Sequence, residues 1–92
     1  MKMNVYAIHV ELADRWSNPF VLNGLTAGRT FSVMAKQRSE EECKDQRIYH
    51  IGHYDNETGE IGALNGKTGN INSERATEVY DLEKEWKRYH EN

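Results

Sequence analysis

From Asn4 to Leu12 the chain reads NVYAIHVEL, with Tyr6, Ile8, Val10 and Leu12 on one side and Val5, Ala7, His9 and Glu11 on the other. Such alternation predicts a half-buried strand, because successive side chains of an extended chain leave on opposite faces. The pattern breaks at ADRWSNPF. There Pro19 removes a backbone donor and biases Asn18 toward extended geometry, which gives a loop or edge excursion whose Trp16 and Phe20 fold back onto the core. From NGLTAGRTFSVMAKQR onward the period lengthens. Leu25, Gly28, Phe31, Ser32 and Ala35 recur at helical spacing, Val33 and Met34 widen the face, and Asn23 is the expected N-cap. Gly28 costs this helix roughly 1 kcal/mol relative to Ala, so the helix needs tertiary support. Ser39 followed by Glu42 has the form of a capping box for a short extra turn.

Arg47 to Tyr54 alternates again, with Tyr49, Ile51 and His53 on one face and Ile48, His50, Gly52 and Tyr54 on the other. DNETG follows as turn chemistry, in which Asp55 bonds onward backbone donors, Thr58 supports it and Gly59 supplies the positive φ. EIGAL is a short third strand. Residues 65–72 form a polar, Gly-rich linker. Residues 73–92 read as a helix whose Val79, Leu82, Trp86 and Tyr89 form a narrow stripe, with Glu74 near its start and Lys84, Lys87 and Arg88 near its end suiting the dipole. The expected fold is α+β. Residues 1–64 are a core with a small three-stranded antiparallel or mixed sheet (strand, helix, strand, strand), and the additional C-terminal helix docks on that core or on a second copy.

The length of 92 residues bounds this picture to one modest core, with no room for a separate cofactor domain. The opening MKMNVYAIHV has no signal-peptide core, and no apolar run approaches the roughly 20 residues of a membrane span, so an intracellular protein without membrane contact is expected. A single Cys43 in a charged run is compatible with a reducing compartment. Twelve basic against fifteen acidic residues, a net charge of −3, argue against a general electrostatic DNA coat. A local basic patch would have to be assembled by the fold from Lys36, Arg38, Lys44 and Arg47, among which Glu40, Glu41 and Glu42 intervene.

The stretch IYHIGHYDNETGEIG is the densest in chemistry. His50 and His53 have the H-x-x-H spacing of a metal site, but on a strand residues three apart point to opposite faces, so neither zinc nor any other cofactor is expected. The segment from Asp55 does not fit a calcium loop, since its glycine comes one place early and its twelfth position is Gly66. Asp55, Glu57, Glu60 and His53 could stage acid–base chemistry, yet a tight hairpin accounts for the same residues. Stacking of single-stranded bases on Tyr49, His53, Tyr54 and Trp16 at an open sheet face is the more productive alternative, set against the need of a small domain for its rings.

Taken in order, VYAIHVELADRWSNPF, NGLTAGRTF and YHIGHYDNETGEI resemble the small nonstructural protein of gokushovirus-type microviruses, phages with circular single-stranded DNA. The resemblance rests on Val5 to Ile8, Pro19 and Phe20, Ala27, Arg29 and Phe31, then Tyr49, Ile51, Gly52, Tyr54, Asp55, Thr58 and Gly59, and covers roughly residues 4 to 64. Val10 and Leu12 stand where the family often has Asp and Lys, the loop over 39–45 is more acidic, and the tail after Asn65 matches nothing.

The resemblance implies a non-enzymatic accessory of viral DNA replication. It would bind single-stranded DNA or phage replication proteins in the cytoplasm of the infected bacterial host and help switch synthesis from double-stranded replicative form to single-stranded genomes. Trp16, Tyr49 and Tyr54 would then stack bases while Arg29, Lys36, Arg38 and Arg47 face phosphate. A homodimer is expected, held by the C-terminal helix through Val79, Leu82, Trp86 and Tyr89. The rival is a protein-only module that regulates a viral or host enzyme without touching DNA, and a small hydrolase using Glu57 and Glu60 ranks last.

Overall fold

The computed structural model describes residues 1–64 and 75–90. Its spine is a pair of long antiparallel strands, β1 (Lys2–Val10) and β4 (Gln46–Asp55), in register from Lys2 opposite Asp55 to Val10 opposite Gln46. Each outer edge of this pair is taken by two short antiparallel strands. β2 (Arg15–Trp16) and β3 (Phe20–Leu22) line β1, while β5 (Ile61–Ala63) and β6 (Thr77–Asp81) line β4. The α+β class is as expected, but six strands replace the expected three.

The extra strands come from two misread segments. ADRWSNPF, expected as a loop or edge excursion, returns along β1 as β2 and leads into β3, with Pro19 placed between the two where no ladder donor is needed. TEVYD, expected as the start of a helix, pairs with β4, because β-branched and aromatic residues suit a half-buried pleated edge better than a helix surface. The helix α3 therefore spans only Leu82–His90, and the Asp81 carboxylate caps it by accepting from the Lys84 N–H at 3.0 Å. The linker expected over 65–72 and Glu74 lie outside the described residues.

Three helices cover one face of the sheet. Tyr6, Ile8 and Ile48 pack there against Ala27, Phe31 and Ala35 of α1 (Ala27–Gln37), Cys43 of α2 (Glu40–Cys43) and Leu82 of α3. Ala27, Phe31 and Ala35 lie four residues apart and form one stripe, with the Phe31 ring edge-on to Tyr6 at 5.1 Å. The helix starts later than expected. Asn23 is not its N-cap but makes a preceding turn, accepting from Leu25 N–H through its side chain and from Thr26 N–H through its carbonyl, and this leaves Leu25 on the outside, 96% exposed. At α2 the expected capping box forms, with Ser39 and Glu42 each accepting from the other's backbone N–H. Those bonds, led by the Ser39 backbone, hold the Glu42 carboxyl below its ordinary value. Cys43, despite its place in a charged run, is turned into the core, where burial raises its thiol pKa.

The C-terminal stripe is used within the monomer. Leu82 is fully buried, the Trp86 indole N–H donates to the Arg38 carbonyl at 2.8 Å, and the Tyr89 hydroxyl donates to Ser32 Oγ at 3.3 Å. Val79, expected in the same stripe, belongs to β6 and is exposed.

A bulge in the central ladder has the largest effect on the chemistry. Register shifts between Val5 and Tyr6, so that Val5 faces Gly52 and Tyr6 faces His50, and Ile51 is the extra residue. Past the bulge the faces exchange, because side-chain direction alternates with every residue. Gly52 is required at this point, since a Cβ there would stand 2.5 Å from the Gly62 carbonyl oxygen. The hairpin turn after β4 closes as expected: Asp55 Oδ1 accepts from Glu57 N–H, Thr58 Oγ1 accepts from Glu60 N–H, and Gly59 has φ +80°. The Glu57 and Thr58 N–H groups hold the Asp55 carboxyl below its ordinary value, with the Met1 amino group adding to the effect.

Candidate functional site

The residues expected to meet nucleic acid do not converge. Arg29 and Lys36 ride on α1 and Arg38 follows it, all on the helix-covered side, whereas Trp16, Arg47, Tyr49 and Tyr54 belong to strands. Strand pairing places Trp16, Arg47, Tyr49 and Tyr54 on the opposite, helix-free face, through the His9–Trp16, His9–Arg47, Ala7–Tyr49 and Met3–Tyr54 pairs. Trp16 and Tyr54 lie about 20 Å apart along β1 at ~3.3 Å per residue. Lys36 is drawn over the Tyr89 ring at 4.8 Å, and Arg47 lies between Glu78 and Asp81 at 3.6 Å each. Its guanidinium pKa is raised, chiefly by Glu78. Tyr49 is buried, so its ring is not available for stacking.

Around Trp16 the fold builds a polar cluster that sequence reasoning missed. His9, 1% exposed, has Nε2 at 2.8 Å from Asp14 Oδ1 and Nδ1 at 3.0 Å from Glu11 Oε1, the second contact lacking hydrogen-bond alignment. Since a carboxylate only accepts, Nε2 carries a proton and donates it to Asp14. The Tyr49 hydroxyl donates to the same Glu11 oxygen at 3.1 Å. Trp16 covers the imidazole with ring centroids 4.4 Å apart and meets Tyr49 edge-on at 5.3 Å. Asp14 reaches His9 from a backbone at φ 49°, a conformation that an Asp side chain tolerates better than most. A general base needs a ring nitrogen open to substrate. Here both nitrogens face carboxylates under a tryptophan, and the cluster reads as a clamp on the turn between β1 and β2. Its signal in the sequence was a histidine inside an apolar strand followed by two nearby acids.

A second histidine site lies on the helix-covered face, beyond the helices. The bulge at Ile51 overturns the expectation that His50 and His53 point to opposite faces. Their rings meet edge to face with centroids 4.8 Å apart, and the His50 ring also lies 5.6 Å from Tyr6. Together with Leu64, Arg75 and Thr77 they line an open groove of about 520 Å³ at the seam where β5 ends and β6 begins. Among the described residues, no three His, Cys, Asp or Glu side chains are grouped so as to hold a metal ion. No helix of the described residues is long and apolar enough to cross a membrane.

No protein-family model, curated protein or solved structure matches the chain.

Proposed function

We propose that the protein is a nonstructural accessory of genome synthesis in a single-stranded DNA microvirus. It acts on single-stranded DNA or on the replication proteins in the infected bacterial cytoplasm, at the change from double-stranded replicative form to single-stranded genomes. The observation that supports this reading is that each piece of the ordered resemblance has a separate structural task. Val5 to Ile8 form the middle of the central strand, Pro19 and Phe20 open the returning edge, Ala27 and Phe31 supply the buried face of α1, and Asp55, Thr58 and Gly59 close the hairpin. A small core with shallow open grooves suits a protein that works by binding.

A second reading, a protein-only module regulating a viral or host enzyme, draws on the helix-free face. Trp16 and Val21 are exposed there, and Ile61 shares the face through its pairing with Tyr54. Glu11, Asp14, Glu78 and Asp81 stand among these apolar groups, and carboxylates repel a phosphate backbone but suit a basic protein surface.

Titration of labelled single-stranded DNA, followed by fluorescence anisotropy at about 50 and 200 mM salt, separates the two. The first reading expects binding that weakens at least several-fold at the higher salt. Absence of binding at the lower salt removes direct DNA contact and transfers the function to protein partners.

A further inference from the structure

The groove of His50, His53, Leu64, Arg75 and Thr77 has a composition that selects its ligand. Two imidazoles on one face would suit either a soft metal ion or an anion, since a ring nitrogen can accept or donate. Arg75 distinguishes the two. A guanidinium stays protonated, cannot ligate a metal and repels a divalent cation, whereas its fork of N–H donors matches two oxygens of a phosphate. The Thr77 hydroxyl beside it donates to the Arg75 carbonyl at 3.4 Å, and the described lining contains no carboxylate. The contrast with the groove on the α2–α3 side is plain: there Glu40, Glu41 and Glu83 surround Lys44 and Lys87.

The fold brings these donors together from separate strands. His50 pairs with Thr77 across β4 and β6, His53 pairs with Gly62 across β4 and β5, and the bulge at Ile51 turns both rings to one side. A straight strand would have sent His53 to the far face. Leu64 is anchored at the groove by its N–H to the Ile51 carbonyl at 2.8 Å and supplies an apolar wall.

We propose that this groove is a phosphate-binding site, in which Arg75 donates to phosphate oxygens and the exposed His53 ring contributes a further N–H donor. The groove's size falls within the roughly 300–1,000 Å³ typical of small-molecule sites, enough for a nucleotide unit beside its phosphate. That the phosphate belongs to single-stranded DNA rests on the functional reading above. The anion chemistry of the groove does not.

The test follows the imidazole resonances of His50 and His53 by NMR while the full chain is titrated separately with inorganic phosphate, thymidine monophosphate, an oligothymidylate and zinc chloride. Arg75→Gln and His53→Gln are compared with the charge-matched Lys84→Gln, with folding of each checked by circular dichroism. The expected result is that phosphate-bearing ligands shift both histidines, that Arg75→Gln weakens binding about tenfold or more, and that Lys84→Gln changes it less than about twofold. For the oligonucleotide, the dependence on salt should also fall by about one ion in Arg75→Gln.

Oligonucleotide binding that Arg75→Gln and Lys84→Gln affect equally overturns the groove and leaves DNA binding intact. Histidine shifts with inorganic phosphate or the mononucleotide but none with the oligonucleotide keep the groove and overturn direct DNA contact. Tight zinc binding at the two imidazoles without any response to phosphate overturns the anion assignment, and silence toward all four ligands overturns the site.

Discussion

His9 and the His50–His53 pair lie on the same two-strand ladder and on opposite faces of it, and they live under opposite conditions. His9 is buried, both of its nitrogens face carboxylates, and Trp16 lies over the ring. His53 is exposed beside an open groove that also holds Arg75, a residue from a distant part of the chain. The first arrangement uses its polar capacity inside the molecule and returns it as order in the turn between β1 and β2. The second keeps the His53 ring at a surface. Histidine content alone therefore says little about function. What matters is whether the fold encloses the ring or leaves it at the surface.

The largest effect expected from breaking this contrast is His9→Ala. It removes the imidazole between Glu11 and Asp14 and the surface under Trp16, and should cost about 2–3 kcal/mol in urea unfolding, less than a fully buried pair because Asp14 is largely exposed. Gly52→Ala strikes the ladder between the two sites. A Cβ meeting the Gly62 carbonyl should cost about 1–3 kcal/mol and disturb β5, visible as faster amide exchange at Tyr54 and Ile61. Asp14→Asn keeps a residue suited to the positive φ but removes the charge facing His9, and a loss of about 0.5–1 kcal/mol with changed Trp16 fluorescence is expected. His53→Gln should alter stability by no more than about 0.5 kcal/mol, since its ring serves a surface and not the core. A cost as large as that of His9→Ala would end the distinction between the two sites.

The acid limb of stability offers a finer test at the turn beside the groove. Asp55 has a lowered folded-state pKa, so its contribution is present above its unfolded value and is lost as pH falls through the folded one. Glu42 acts in the same direction from α2. Asp55→Asn preserves the turn-forming side chain and should flatten the decline of stability below about pH 4, measured by urea unfolding across that range. An unchanged acid limb would place its source elsewhere.

Much of this architecture was legible locally. The β1 alternation, the β4 strand, the DNETG turn and the Ser39–Glu42 capping box were all readable because short-range rules govern them. TEVYD was not, since Val79 continued a helical stripe by coincidence with Leu82, Trp86 and Tyr89, and only pairing with β4 decided in favour of a strand. Asn23 had the chemistry of an N-cap and formed a turn before the helix instead, which moved Leu25 from the expected core to the surface. Of the candidate nucleic-acid residues, Trp16 was correctly suspected of lying near a sheet face. Its acidic neighbours could not be read in advance, because Arg47 meets Glu78 and Asp81 only through the added strand.

The sequence by itself determined where the chain extends, turns and coils, and that one modest α+β core would hold it, because periodicity and turn chemistry act over a few residues. The tertiary structure decided which histidine is enclosed and which remains open. Three residues in a strand should set His50 and His53 on opposite faces, and a single bulge, fixed by the register between β1 and β4 and by the room that Gly52 leaves for Gly62, set them side by side. Register is a property of two strands together, so no pattern within one of them could carry it.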